Sequence, residues 1–148
     1  MFYFAYGSNM NLKQMSLRCP GAVIMGQAEA KGWGLRERQY ADIEMSPKEN
    51  VLGVLWRISA THLYHLDLYE GVAQGFYYKI NLLVNYKGKE GYAIAYVMHK
   101  EAAHMRRNLA FTSSYRKGCK QGAIENKIEV HPLYEERTKN ENLYHCIY

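Results

Sequence analysis

Short apolar runs with a two-residue rhythm dominate the chain, and helical spacing interrupts them at only a few places. Residues 2–6 (Phe-Tyr-Phe-Ala-Tyr) read as a strand that Gly7-Ser8-Asn9 breaks. Asn9 is a suitable N-cap for a short helix over residues 10–17, which Cys19-Pro20-Gly21 ends. Residues 22–29 and 31–38 read as extended, with Gly32 and Gly34 marking a bulge or a close backbone approach. Residues 40–45 form a further strand, 46–50 (Ser-Pro-Lys-Glu-Asn) a turn, and 51–58 a strongly apolar strand.

Ser59 or Thr61 then caps a helix on which Leu63, Leu66 and Tyr69 recur at three-residue spacing, and Gly71 stops it at the C′ position. Residues 75–85 and 92–99 read as two strands joined by a hairpin loop over 86–91. Residues 113–127 are helical in pattern despite Gly118 and Gly122, and the last twenty residues are polar and without a clear period. Many strands with few helices between them disfavour a doubly wound parallel sheet. The pattern predicts an α+β fold with a curved, mainly antiparallel sheet or small β-barrel, in one domain over 1–148 whose tail from about residue 129 is unplaced.

Composition narrows the class. A chain of 148 residues with 48% hydrophobic residues can bury a core without staples. No apolar run approaches the roughly 18 residues that span a bilayer, so no membrane association is expected. The start, Met1 to Gly7, lacks the basic segment of a signal peptide. The three cysteines, Cys19, Cys119 and Cys146, suit neither a disulfide framework nor a zinc site, which suggests a cytoplasmic setting. The net charge of +5 is spread along the chain rather than gathered in a run. It favours a solvated surface over a nucleic-acid footprint, and would also draw in an anionic small molecule.

Two stretches carry possible chemistry. Tyr6-Gly7-Ser8-Asn9 joins a strand end to a helix start, where unpaired N–H groups and the helix dipole favour a carboxylate or an oxyanion. The plainer reading is an ordinary connection with an Asn cap. Asp67 and Glu70 sit in the last turn of a helix, where the dipole opposes their charge and each repels the other. Both effects push a carboxyl pKa upward, toward the range of a general acid or base. The plainer reading is a solvated helix end. Tyrosine, at 14 residues against four phenylalanines, supplies aromatic bodies with hydroxyls that seek partners; Tyr77 and Tyr115 could orient a carboxylate or an amide. His62 and His65 have metal spacing on a helix but no evident third ligand, so no metal site is expected. No setting for a cysteine nucleophile is evident.

Taken in order, these pieces resemble the γ-glutamylcyclotransferase (AIG2-like) family. The resemblance rests on Phe2-Tyr3-Phe4-Ala5-Tyr6-Gly7-Ser8-Asn9, Gly53-Val54-Leu55-Trp56, Leu66-Asp67-Leu68-Tyr69-Glu70-Gly71-Val72 with Gly75-Phe76-Tyr77, and Ser114-Tyr115 before Gly122-Ala123. It spans about residues 2–124, and Thr112-Ser113 replaces the Pro-Ser often found before the late tyrosine. It implies a small β-barrel flanked by helices. It implies cyclisation of a γ-glutamyl amide to 5-oxoproline, with release of an amine or amino acid and no cofactor. Glu70 would be the catalytic acid/base, and Tyr6, Gly7, Ser8, Asn9, Tyr77 and Tyr115 would bind substrate. The partner would be a small γ-glutamyl molecule, the assembly a monomer or homodimer. The competing expectation is a non-enzymatic binding module on the same fold.

Overall fold

Two long strands and a hairpin make the barrel. The computed structural model describes residues 1–136; Cys146 and the end of the polar tail lie outside them. Strand β1 is Phe2–Ala5, β2 Val23–Arg38, β3 Tyr40–Arg57, β4 Tyr77–Tyr86 and β5 Lys89–Met98. They close in the order β1-β3-β2-β4-β5. All pairings are antiparallel except the closing one, where Tyr3 of β1 meets Ile94 of β5 in parallel. Helices α1 (Leu12–Arg18), α2 (Ala60–Tyr69), α3 (Lys100–Arg106) and α4 (Ser113–Glu125) flank it.

The α+β barrel matches the expectation, but the long strands differ from it. The segment 46–50 is not a hairpin turn. β3 runs through it, and in the register Lys31 faces Asn50 while Trp33 faces Met45, so residues 46–49 oppose only Gly32. This wide bulge accommodates Pro47, which has no N–H for a ladder. The reversal between β2 and β3 falls instead at Gln39, with φ +64. Between β4 and β5 the turn is tighter than expected. Lys87 and Gly88, both at positive φ, make a two-residue loop, and the strands extend to meet it.

The helices show similar adjustments. Asn9 is not the cap of α1; Asn11 is, accepting from the Gln14 N–H at 3.0 Å. Residues Ser8–Met10 form a 3-10 turn that the linear pattern does not reveal. Ser59, not Thr61, caps α2, in a reciprocal box with His62. That histidine also contacts the Pro20 carbonyl. Helix α3 is an addition, with no side-chain cap to announce it.

The core is one cluster inside the barrel and beneath α4. The tail contributes to it. Tyr134 is buried, stacks against Phe111 at 5.7 Å between centroids, and donates to the Tyr6 carbonyl at 2.7 Å. Helix α4 presses so closely on the loop after β1 that a Cβ on Gly122 would lie 2.6 Å from the Asn11 nitrogen. Asn126 reinforces the contact by donating to the Met10 carbonyl at 2.9 Å.

Candidate active site

Residues 6–9 leave β1 at one end of the barrel, and α2 ends beside them. Between the two lies a cavity of about 300 Å³. The seven residues that the family resemblance assigned to the site all line it: Tyr6, Gly7, Ser8, Asn9, Glu70, Tyr77 and Tyr115. Tyr3, Gln14, Arg18, Tyr40, Ala41, Tyr69, Phe76 and Tyr96 complete the wall. Periodicity marks most of these only as core or surface. Gln14 and Arg18 stand four residues apart on α1, a shared face that could have been read from the sequence.

Glu70 is the C-cap of α2, its N–H bonded to the Leu66 carbonyl at 2.8 Å. Gly71 then takes the left-handed conformation (φ +63) and turns the chain away. The Glu70 carboxyl therefore projects from a fixed backbone position. Burial raises its pKa to about 7, against a lowering by the Arg18 charge. The cause differs from the one expected. Asp67 does not line the cavity; its carboxylate is held by Lys79 at 2.5 Å and by the Tyr96 hydroxyl at 2.7 Å. Desolvation rather than carboxylate repulsion sets the acidity of Glu70.

Asn9 is the hub of the loop. It is 3% exposed, and its amide nitrogen donates to the Tyr3 hydroxyl at 2.9 Å and, at 3.4 Å, to the Glu70 carboxylate. Its amide oxygen accepts from Gln14 at 3.0 Å and Arg18 at 2.9 Å, and its carbonyl accepts from the Trp56 indole at 3.1 Å. The side chain is thus engaged with protein on both ends. Ser8 Oγ accepts from Gln14 at 2.6 Å, which leaves its own proton to donate. The N–H groups of Ser8 and Asn9, in the first turn of a 3-10 helix, have no acceptor within that turn.

The tyrosines form walls. Tyr6 donates to the Tyr96 carbonyl. Tyr77 donates to the Ala41 carbonyl at 2.6 Å, and Tyr115 accepts from the Ala41 N–H at 3.0 Å. The two hydroxyls clamp the start of β3 from both sides. Burial raises the pKa of Tyr6, Tyr77 and Tyr115 well above normal, so all three stay neutral. A Cβ on Gly7 would sit 3.0 Å from the Tyr115 hydroxyl and 3.2 Å from the Ala41 Cβ, so a larger residue would crowd both groups at this wall of the cavity. Cys119 is buried and its thiol is raised to about 12, first by burial, which leaves it inert at neutral pH. No group of three His, Cys, Asp or Glu converges at metal-binding distance among the described residues.

The Glu70 carboxyl, raised toward neutrality, thus stands in an aromatic-walled cavity at the end of a closed five-stranded barrel with flanking helices. The chain belongs to the γ-glutamyl cyclotransferase, AIG2-like family, whose model matches residues 3–117. It is 33% identical to the mouse γ-glutamylcyclotransferase and 31% to the human one, in each case over 93% of this chain and 76% of the relative. Among solved structures it superposes on a γ-glutamyl cyclotransferase with a TM-score of 0.72 at 25% identity, covering 97% of this chain and 96% of that one. A human protein described as uncharacterised gives a TM-score of 0.74 at 26% identity, with the same coverage. Among the described residues no helix is long and apolar enough to cross a membrane.

Proposed function

We propose that this chain cyclises a γ-glutamyl amide to 5-oxoproline, and that Glu70 moves the protons. The observation that carries the reading is a carboxyl raised to about 7 beside the loop that the family resemblance singled out.

The substrate supplies its own nucleophile, the α-amine, which attacks the γ-carbonyl carbon. A C–N bond closes the five-membered ring and the γ-amide C–N bond breaks. The ring nitrogen begins as an ammonium and ends with one hydrogen, so it sheds two protons. The departing nitrogen begins with one hydrogen and leaves as an ammonium, so it gains two. Glu70 carries protons from one to the other, acting as base and then as acid. A pKa near 7 suits both halves of that task, because neither form is scarce at neutral pH.

The remaining residues orient and stabilise. Folding the glutamyl chain back on itself is an entropic problem, and close walls of Tyr6, Tyr77 and Tyr115 restrict the chain toward the attacking shape. The Ser8 hydroxyl and the N–H groups of Ser8 and Asn9 supply donors for the glutamyl carboxylate or the developing oxyanion. The Asn9 side chain lines the cavity and has a positioning role as well. It is engaged with Tyr3, Gln14 and Arg18 and sets where Glu70 and the loop stand.

The test is a panel of γ-glutamyl amino acids and amines with 5-oxoproline measured by mass spectrometry. Catalytic formation of 5-oxoproline from at least one donor supports the reading. Saturable binding of a donor without any turnover would instead favour a binding module on an enzyme fold.

A further inference from the structure

Most half-buried arginines of this protein have a carboxylate to meet. Arg36 pairs with Glu44 and Glu49, Arg38 with Asp42, and Arg116 with Glu37. Arg18 is different. It is half-buried, lines the cavity, and among the described residues is the one lysine or arginine that does so. Among the described residues it forms no ion pair, and its hydrogen bond to the Asn9 amide oxygen uses Nη1. The other guanidinium donors have no protein acceptor there. The guanidinium is held in place all the same, by that bond and by stacking over the Tyr69 ring at 4.6 Å. Among the described residues Arg106 also lacks a carboxylate partner and stacks on Phe76, but it does not line the cavity.

Position decides what Arg18 would meet. Tyr69 is 57% exposed, whereas Tyr6 and Tyr77 are 7% and 5% exposed. The Arg18–Tyr69 pair is therefore at an open lip, and Tyr6 and Tyr77 belong to the closed end. A γ-glutamyl substrate has a constant half, which must fold tightly, and a variable half, which must depart. The closed end suits the constant half and the lip suits the leaving group. A planar guanidinium fixed from behind, with free donors, is matched to a carboxylate.

Resting on the cyclotransferase reading, we infer that Arg18 is a specificity-determining residue that binds the α-carboxylate of the departing amino acid. This separates γ-glutamyl amino acids and peptides, which carry a carboxylate next to the departing nitrogen, from γ-glutamylamines, which do not. Arg18 takes no part in bond making; its contact is with the half of the substrate that leaves.

The experiment compares γ-glutamylalanine with γ-glutamylethylamide, which differ by that carboxylate alone. The readout is the ratio of their kcat/KM values, so any general damage through Asn9 or Glu70 cancels. In Arg18→Gln the ratio is expected to fall at least about tenfold from that of the parent, the scale of a lost charged contact. Arg18→Lys, which keeps the charge but loses the fork, is expected to fall between the two. An unchanged ratio in both variants overturns the inference and assigns Arg18 to the glutamyl half or to the loop alone. If Arg18→Gln does not fold, the Arg18→Lys ratio decides by the same criterion. No 5-oxoproline from either donor with the parent protein overturns the cyclotransferase reading itself, and this inference with it.

Discussion

The Glu70 carboxyl is held above its ordinary range by the wall around it, and that has a measurable thermodynamic side. A carboxyl with a pKa of about 7 when folded and 4.5 when unfolded binds its proton more tightly in the folded state. Between those pH values the folded protein carries more protons than the unfolded one, so stability falls as pH rises. The loss is complete above pH 7 and amounts to roughly 3 kcal/mol. Glu70→Gln removes the titration. It should raise the melting temperature relative to the parent at pH 8 and bring little gain at pH 5, as thermal unfolding at the two pH values would show. A gain of the same size at both would mean that the carboxyl is not held in this way. The parent's kcat/KM should rise through an acidic limb near pH 7, because the attacking amine must first lose a proton to the carboxylate. At this scale the sequence was informative about identity and poor about cause. Glu70 was legible because a helix stop follows it directly at Gly71. Its desolvation depends on Tyr3, Tyr96 and Tyr115, which come from distant parts of the chain, and no local window contains them.

Helix α4 is the element on which the loop depends, and its two glycines separate propensity from packing. Gly118 has nothing within 4 Å of where a Cβ would be, while a Cβ on Gly122 would strike the backbone of Met10 and Asn11. Gly118→Ala should stabilise the protein by about 0.5–1 kcal/mol through helix propensity. Gly122→Ala should destabilise it by about 1–3 kcal/mol through overpacking, and should also lower activity by displacing the loop. Urea unfolding of the two variants checks the pair, and the same sign for both would contradict the described contact. The elements themselves were mostly legible from period and turn chemistry. The exceptions have physical reasons. Pro47 and its neighbours look like a turn because proline breaks ladders, and here a bulge opposite Gly32 absorbs it within one long strand. Asn9 looks like a helix cap because asparagine favours that position. A 3-10 turn moves the start of α1 two residues on, to Asn11, and frees Asn9 for burial.

The whole molecule is a barrel whose ends are tied by contacts far apart in sequence. β1 reaches β5 across Tyr3 and Ile94, and the tail returns through Tyr134 to the carbonyl of Tyr6 at the edge of the cavity. Tyr134→Phe leaves that buried carbonyl without its donor and should cost about 1–3 kcal/mol, readable as a lower urea midpoint. An unchanged midpoint would mean that the tail is not part of the folded core. Barrel closure could be anticipated from the number of strands and the scarcity of intervening helices, but its strand order could not. The tail was hard to read because its described anchors, Val130, Leu133 and Tyr134, stand in a polar stretch with no period to mark them. The central claim concerns one proton carrier at the end of this barrel. The most direct measurement is steady-state formation of 5-oxoproline by Glu70→Gln, beside the parent, after circular dichroism has established that both are folded. A loss of at least about a thousandfold in kcat, with donor binding retained, is the predicted result. Turnover within tenfold of the parent would contradict the assignment of Glu70.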